Sequence, residues 1–456
     1  MTPVLTPDQR RAQDAAADVD VDVLVARAGA AVARAAIDLM GGAYGRTVTV
    51  LAGPGNNGAD GRVAAARLRE RGVRVVVHDA LDLPPALPAA DLVIDAAFGI
   101  GFRDEWRPPA TGSARVLAVD VPTGLDAHTG EVADGTLHAD VTVTFGALSP
   151  GHLLGDGPDV VGRVVVADIG LPDVDALAHV IDGADVAGWM PLRARSSHKW
   201  MDAVRVVAGS SGMTGAGHLA AASAMRSGAG LVAISSPGVE ADAPVEVVDV
   251  RIPPFDWSGA VLDDLHRYDA LVVGPGLGRE EYTIPSIVAT VVDAVVPVVI
   301  DGDGLFALTW NDHGDASFLR EREAVTVLTP HDGEFGLLTG HRPGADRVAE
   351  ARRLSDATGA TVLLKGPTTI VAGPDEPALL VTNGSPRLAT AGSGDVLAGV
   401  IAAFLAQGMP PSRAAAAAAW VHAEAARIGR PGLVASDLLG TIPAVIASTS
   451  SSRAGR

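Results

Sequence analysis

The residues that could do chemistry in this chain sit where short apolar runs give way to glycine. Residues 53–61 read Gly-Pro-Gly-Asn-Asn-Gly-Ala-Asp-Gly, after an apolar run that ends at Leu51 and before an Ala-rich stretch from Arg62 to Arg71. A strand, a tight turn and a helix start in that order aim free N–H groups and a partial positive charge at an anion, and glycine lets a ligand approach the backbone closely. Two further run ends carry oxygen: Asp95 in Val-Ile-Asp-Ala-Ala-Phe-Gly-Ile-Gly (93–101), and Asp120 with Thr123 in Val-Asp-Val-Pro-Thr-Gly-Leu-Asp (119–126). Hard oxygen donors with one or two carboxylates suit an alkali or alkaline-earth ion. A single Asp in such a place is more often a turn former or a helix cap. Three such segments on one sheet edge favour a site.

The second half has its own set. Residues 389–399, Ala-Thr-Ala-Gly-Ser-Gly-Asp-Val-Leu-Ala-Gly, form a GxGD turn that opens a helix, directs N–H groups at developing negative charge and places Asp395 as a candidate base. Lys365-Gly366-Pro367-Thr368-Thr369 lies at a run end, where an ammonium and hydroxyls can hold a nucleotide phosphate. Thr329-Pro330-His331-Asp332-Gly333-Glu334-Phe335 brings an imidazole and two carboxylates to the same kind of edge. A lone His after Pro is as readily a turn residue.

Elements of one kind must position all of these. Val-rich runs recur at 47–51, 74–78, 91–95, 114–119, 141–145 and 163–167, and again at 204–208, 231–235, 270–274, 298–301, 325–328 and 361–364, with Ala-rich amphipathic stretches between several of them. Near-continuous apolar strands alternating with helices indicate a mostly parallel sheet covered on both faces, with ligands at the strand C-termini. The fold class is therefore α/β, in two three-layer domains. We place the domains at 1–175 and 196–447, with an irregular linker at 176–195 holding Pro191, and a disordered tail at 448–456. No period of roughly 20 to 50 residues repeats, so a solenoid is excluded.

Composition narrows the classes. The 456 residues are 48% hydrophobic and 4% aromatic, with 53 Gly and 30 Pro, so the core must be built from Val, Ala, Leu and Ile. Lys+Arg 35 against Asp+Glu 54 gives a net charge of −19, which argues against a nucleic-acid surface, and the absence of cysteine removes thiolate metal sites and thiol catalysis. No uncharged apolar run reaches the roughly 18 residues of a membrane span, and the first residues lack a basic stretch followed by an apolar one. A cytoplasmic location, no membrane partner and a homo-oligomer are expected.

The first set of motifs, NNGADG, DAAFGIGF and DVPTGLD with the preceding Leu24-Val25-Ala26-Arg27-Ala28-Gly29, resembles the NAD(P)H-hydrate epimerase family over about residues 5 to 170. GxGD alone resembles the ribokinase-like superfamily. Together with Ser197-His198-Lys199, residues 209–216, 226–232 and 274–278, TPHDGEF and KGPTT, it resembles the ADP- or ATP-dependent NAD(P)H-hydrate dehydratase family, from about Ser196 to Ile446. Epimerase followed by dehydratase is a familiar bacterial fusion, so the chain as a whole resembles a bifunctional NAD(P)H-hydrate repair enzyme.

That resemblance implies an N-terminal Rossmann-like domain and a C-terminal ribokinase-like one. It implies potassium on Asn57, Asp95 and Thr123. It also implies contact of the hydrated dinucleotide with Asn56, Asn57, Gly58, Ala59, Asp60, Gly99, Ile100, Gly101, Phe102, Arg103 and Asp120, the last also catalytic. In the second domain it implies adenine nucleotide on Lys365, Gly366, Pro367, Thr368, Thr369 and Gly394, and hydrated dinucleotide on Ala216, Gly276, His331 and Asp395, with magnesium and ADP in preference to ATP. The chain departs from the pattern at Ala59 and Ala391, where glycine is usual, at Ser149, where a Lys before Pro-Gly is common, at 102–105, and at Trp200-Met201-Asp202. The rival readings are a ribokinase-like small-molecule kinase fused to a non-catalytic dinucleotide-binding domain, and a first domain that only senses or binds.

Overall fold

The computed structural model describes residues 1–100, 106–310 and 315–454. It divides into two compact units, Thr2–Ala178 and Met1 with His179–Arg456.

The first unit runs β1 (Thr2–Val4), α1 (Pro7–Ala15), α2 (Val21–Met40), β2 (Thr47–Ala52), α3 (Asn56–Glu70), β3 (Arg74–Asp79), β4 (Leu92–Ala96), β5 (Arg115–Val119), β6 (Val141–Phe145), α4 (Gly157–Val160) and β7 (Arg163–Ala167). Six of these strands make an all-parallel sheet, β3-β2-β4-β5-β6-β7. The Val-rich runs become strands because both sheet faces are covered; Val48, Val50, Leu92, Ile94, Leu117 and Val143 are fully or almost fully buried. Helix α1 starts where the sequence says it should: the Thr6 hydroxyl accepts from Gln9 N (3.1 Å) and the Gln9 side chain accepts from Thr6 N (2.9 Å), with Pro7 in the first turn. Helices α2 and α3 cross in close contact at Gly29, where a Cβ would lie 2.5 Å from Val63 Cγ1 and 2.8 Å from the Asp60 carbonyl.

The second unit runs β8 (Ala178–Val180), α5 (Gly183–Trp189), β9 (Val204–Val207), α6 (Thr214–Arg226), β10 (Val232–Ser235), β11 (Val248–Asp249), α7 (Ser258–Leu265), β12 (Ala270–Val273), α8 (Ile284–Asp293), β13 (Val298–Ile300), α9 (Asp303–Ala307), β14 (Thr326–Leu328), α10 (Asp332–Thr339), α11 (Arg347–Thr358), β15 (Thr361–Leu364), β16 (Thr369–Ala372), β17 (Ala378–Val381), α12 (Ser393–Ala406), α13 (Pro411–Ile428) and α14 (Ala435–Ala454). Its strands follow the order β8-β17-β16-β15-β14-β13-β12-β9-β10-β11. Pairing is parallel from β15 through β11, and β16 is antiparallel to both neighbours. Helix α12 is apolar all round, with Val396 through Leu405 buried, because it is enclosed by α6, α13 and the sheet. Gly399 lets α6 touch it; a Cβ there would meet Ala220 O and Ser223 Oγ at 2.1 Å.

Two stretches differ from expectation. Residues 176–195 are not a plain linker: they carry β8 and α5, and Ile181, Val186 and Met190 enter the second core. Helix α14 continues to Ala454, so residues 448–454 extend a helix instead of forming a disordered tail. In the first case a short, weakly patterned segment takes its structure from the core it joins.

Gly29→Val should cost the first unit about 1–3 kcal/mol, because a branched side chain must push apart two packed helices. Stepwise denaturation followed by domain-selective proteolysis would show the loss in residues 2–178 while the second unit keeps its transition.

Candidate functional site

In the first unit, the C-terminal ends of β2, β4 and β5 open onto a cavity of about 490 Å³. Asn56, Asn57, Asp60, Gly99, Ile100 and Asp120 all line it. Gly58 and Ala59 do not. Gly58 instead lets the start of α3 fold over the turn, since a Cβ there would be 1.9 Å from Gly53 O. Ala59 lies within α3, and among the described non-glycine residues positive φ is confined to Asp120, Asp202, Asp256 and Asp375, so the missing glycine at 59 costs nothing. Gly101, Phe102 and Arg103 lie outside the described residues.

Asp95 and Thr123 do not line this cavity; they form one buried unit. The Thr123 hydroxyl donates to Asp95 Oδ1 (2.7 Å) and the Thr123 N–H to Asp95 Oδ2 (2.8 Å). Asp95 is fully buried, and burial pushes its pKa up against those hydrogen bonds. Among the described residues no Lys or Arg pairs with it. The side-chain amide of Asn57 is buried with neither its oxygen nor its nitrogen satisfied. An unpaired buried carboxylate and an orphaned amide oxygen are the donor chemistry of a weakly charged, oxygen-seeking cation, so these residues fit potassium.

Asp120 is the most constrained group in the cavity. Its φ is +66°, a conformation that must be held by its surroundings. Its N–H donates to Val143 O (2.7 Å), and its carbonyl accepts from His152 Nε2 (2.8 Å), while His152 Nδ1 accepts from Ser149 N–H (2.9 Å). Those partners fix the Nε2–H tautomer, and burial pushes the His152 pKa down to about 4, so the ring is neutral. The Asp120 carboxylate accepts from Thr144 Oγ1 (3.0 Å) and from the buried guanidinium of Arg10 on α1 (2.9 Å). Asp60 has no such cation. Burial, then the charges of Asp120 and Asp14, push its pKa up to about 8, so it keeps its proton at neutral pH. Arg10, Asp14, Thr144 and His152 escaped the sequence reading because they come from α1, β6 and a 3₁₀ turn at Pro150–His152, and no motif marks them.

In the second unit the described ends of β13, β14 and β15 meet the start of α12. Lys365 Nζ is paired with Asp301 Oδ1 at 2.6 Å and lies 4.0 Å from Glu334 Oε2. Burial pulls the Lys365 pKa down, but Asp301, Glu334 and Asp395 outweigh it and hold it raised. A Cβ on Gly394 would sit 3.2 Å from Lys365 Nζ and 3.3 Å from Asp301 Oδ2, so glycine keeps this space open at the helix N-terminus. Burial, then the nearby Asp301 charge, pushes the Asp395 pKa up to about 7. Lys365, Gly366, Pro367, Thr369 and Gly394 line a cavity of about 450 Å³; Thr368 is buried in the same loop.

Ala216 and Gly276 are also brought together: with Gly276 at φ +61°, its Cβ would lie 2.9 Å from Ala216 Cβ. His331 caps α10, its Nδ1 accepting from Gly333 N–H (3.0 Å) and Glu334 N–H (3.1 Å), and Glu334 links it to Lys365. The capping role and a site role coexist here. Glu334 is one of the two carboxylates the sequence placed at this edge; Asp301 and His422, a buried ring that lines the cavity with its Nε2 unpartnered, were not legible in the sequence. The Trp200 departure is absorbed locally, with Arg267 stacked over the Trp200 ring at 4.3 Å.

The second unit has the ribokinase-like fold: a ribokinase-like superfamily protein of Enterococcus faecalis superposes on it with a TM-score of 0.52 at 20% identity, covering 61% of this chain and 99% of that one. The sequence model described as NAD(P)H-hydrate dehydratase matches residues 204–434, and that of the YjeF-related protein N-terminus matches 21–85 and 78–151. A bifunctional NAD(P)H-hydrate repair enzyme of Mycobacterium tuberculosis is 39% identical over 410 residues, covering 82% of each chain. Its counterpart in Moorella thermoacetica is 35% identical over 467 residues, covering 88% of this chain and 87% of its own. The chain belongs to the family of bifunctional NAD(P)H-hydrate repair enzymes. Among the described residues no helix is long and apolar enough to cross a membrane.

Asp60 should titrate near pH 8 in carboxyl-selective NMR, and Asp120→Asn should move that titration downward, because removing a neighbouring negative charge favours the ionised form. An unchanged midpoint would show that the two carboxyls do not share one field.

Proposed function

We propose that this protein repairs hydrated NADH and NADPH. Its first domain interconverts the R and S hydrates, and its second dehydrates the S form at the expense of a nucleotide; with ADP the by-products are AMP and phosphate. The observation that carries this reading is Asp395, with its pKa near 7, on a GxGD helix beside a buried lysine. A base poised there can take the proton of a ring hydroxyl. The hydroxyl oxygen then attacks the terminal phosphoryl group and the bond to the nucleotide leaving group breaks; the C–O bond to phosphate then breaks, the neighbouring ring carbon gives up a proton to solvent, and the ring double bond is restored. Gly394 and the N–H groups of α12, with Lys365 and the loop to Thr369, would stabilise the negative charge on the phosphoryl oxygens. Ala216, Gly276 and His331 would orient the hydrated ring. A magnesium ion would travel on the nucleotide phosphates. When bound it neutralises phosphate charge.

For the first domain, Asn57, Asp95 and Thr123 would hold potassium, which supplies a fixed positive charge beneath the substrate. Asn56, Gly99 and Ile100 would contact the dinucleotide. One cavity contains a carboxyl that keeps its proton, Asp60, and one held by a guanidinium, Asp120, and this is the arrangement of a general acid with a general base.

The test is recovery of reduced-nicotinamide absorbance from a mixture of both hydrates with magnesium, potassium, and ADP or ATP. Complete recovery, faster than spontaneous epimerisation, is expected; a phosphorylated product without NADH would support a kinase. Asp395→Asn should lower dehydration by roughly 100-fold to 10,000-fold with epimerisation intact. In the wild type kcat/KM for dehydration should fall as pH drops below about 7, because Asp395 is then protonated. Replacing potassium with a large organic cation should slow epimerisation only; indifference to the exchange would remove the ion from Asn57, Asp95 and Thr123.

A further inference from the structure

Among the described residues Arg10 is the cation that touches the epimerase cavity's carboxyls, and the scheme above names its guanidinium only as what holds Asp120, without a part in the reaction. We propose that Arg10 is a positioning residue for epimerisation: its guanidinium, delivered by α1, holds the Asp120 carboxylate in its working orientation. This rests on the epimerase reading of the first domain.

Arg10 is 6% exposed, yet it lines the cavity. Its Nη2 donates to Asp120 Oδ1 (2.9 Å) and Phe145 O (3.2 Å), and its Nη1 to Ala147 O (2.9 Å), Thr144 Oγ1 (3.0 Å) and Ser149 Oγ (3.4 Å). The guanidinium plane is thus clamped by β6 and the loop after it, with one edge left for a single carboxylate. Asp14 and Asp60 share the cavity but make no hydrogen bond to it, so among the described lining residues the fixed positive charge is spent on Asp120.

Holding α1 in place does not require this. The helix is tied by its Thr6 capping box, by Leu5 N–H to Leu148 O (2.9 Å), and by the amides of Gln9 and Gln13, which donate to Asp175 O (2.9 Å) and Pro172 O (2.8 Å). A buried arginine whose charge is answered by one strained, cavity-facing carboxylate serves that carboxylate.

The test uses the full chain. Arg10→Met should lower kcat for epimerisation on the order of 100-fold with KM little changed, as for a misplaced reacting group, while dehydration of pure S hydrate stays at the wild-type rate. Arg10→Lys should recover part of the loss. The double variant Arg10→Met/Ser149→Lys should recover more, because Ser149 Oγ lies 3.4 Å from Nη1 and a lysine there reaches the same carboxylate. Wild-type kcat in Arg10→Met, or a loss that neither lysine variant relieves, would overturn the proposal while leaving the epimerase reading intact. If the wild-type chain does not accelerate epimerisation at all, that reading fails and this proposal with it.

Discussion

A carboxylate taken out of water must be given a cation, a proton or a ligand, and both domains are built around that demand. In the first, four carboxyls are answered in different ways. Asp120 receives Arg10, Asp60 keeps a proton, Asp14 is pushed the same way by burial, and Asp95 has only hydrogen bonds. In the second, Asp301 takes Lys365 and leaves Asp395 raised. The chemistry proposed for each site follows from which carboxyl is left without a permanent partner.

The parallel sheets make this possible. They bring Asp95 and Asp120 to one end of one sheet and Asp301, Glu334 and Lys365 to one end of another, although these residues are tens of positions apart in the chain. Glycine then sets how close the parts come. Gly58 lets α3 begin over its own turn, and Gly394 keeps Lys365 and Asp301 beside the first turn of α12. The Ala-rich helices α12 and α13 are the counterpart: small side chains let them be buried on nearly every face, which anchors the GxGD turn to the middle of the core.

The departures from the family pattern separate into two kinds. Ala59 is harmless because its backbone is helical, and Trp200 finds Arg267 and Tyr268 as partners. Ser149 is different, since it sits within reach of a guanidinium that arrives from another element, so the charge of that corner is carried by α1.

Much was legible from the chain alone. The Val-rich runs became strands because a twice-covered sheet leaves an unmistakable apolar signature, and the glycine turns, Asp95, Thr123, Lys365 and Asp395 announced themselves because phosphate and cation chemistry needs those types at a strand end. Local order does not carry what depends on distance through space. The capture of 176–195 by the second core and the meeting of Arg10, Thr144 and His152 around Asp120 were decided by tertiary packing. So was the raised pKa of Asp60, because burial and the nearest charge, which set a pKa, exist only once the chain has folded.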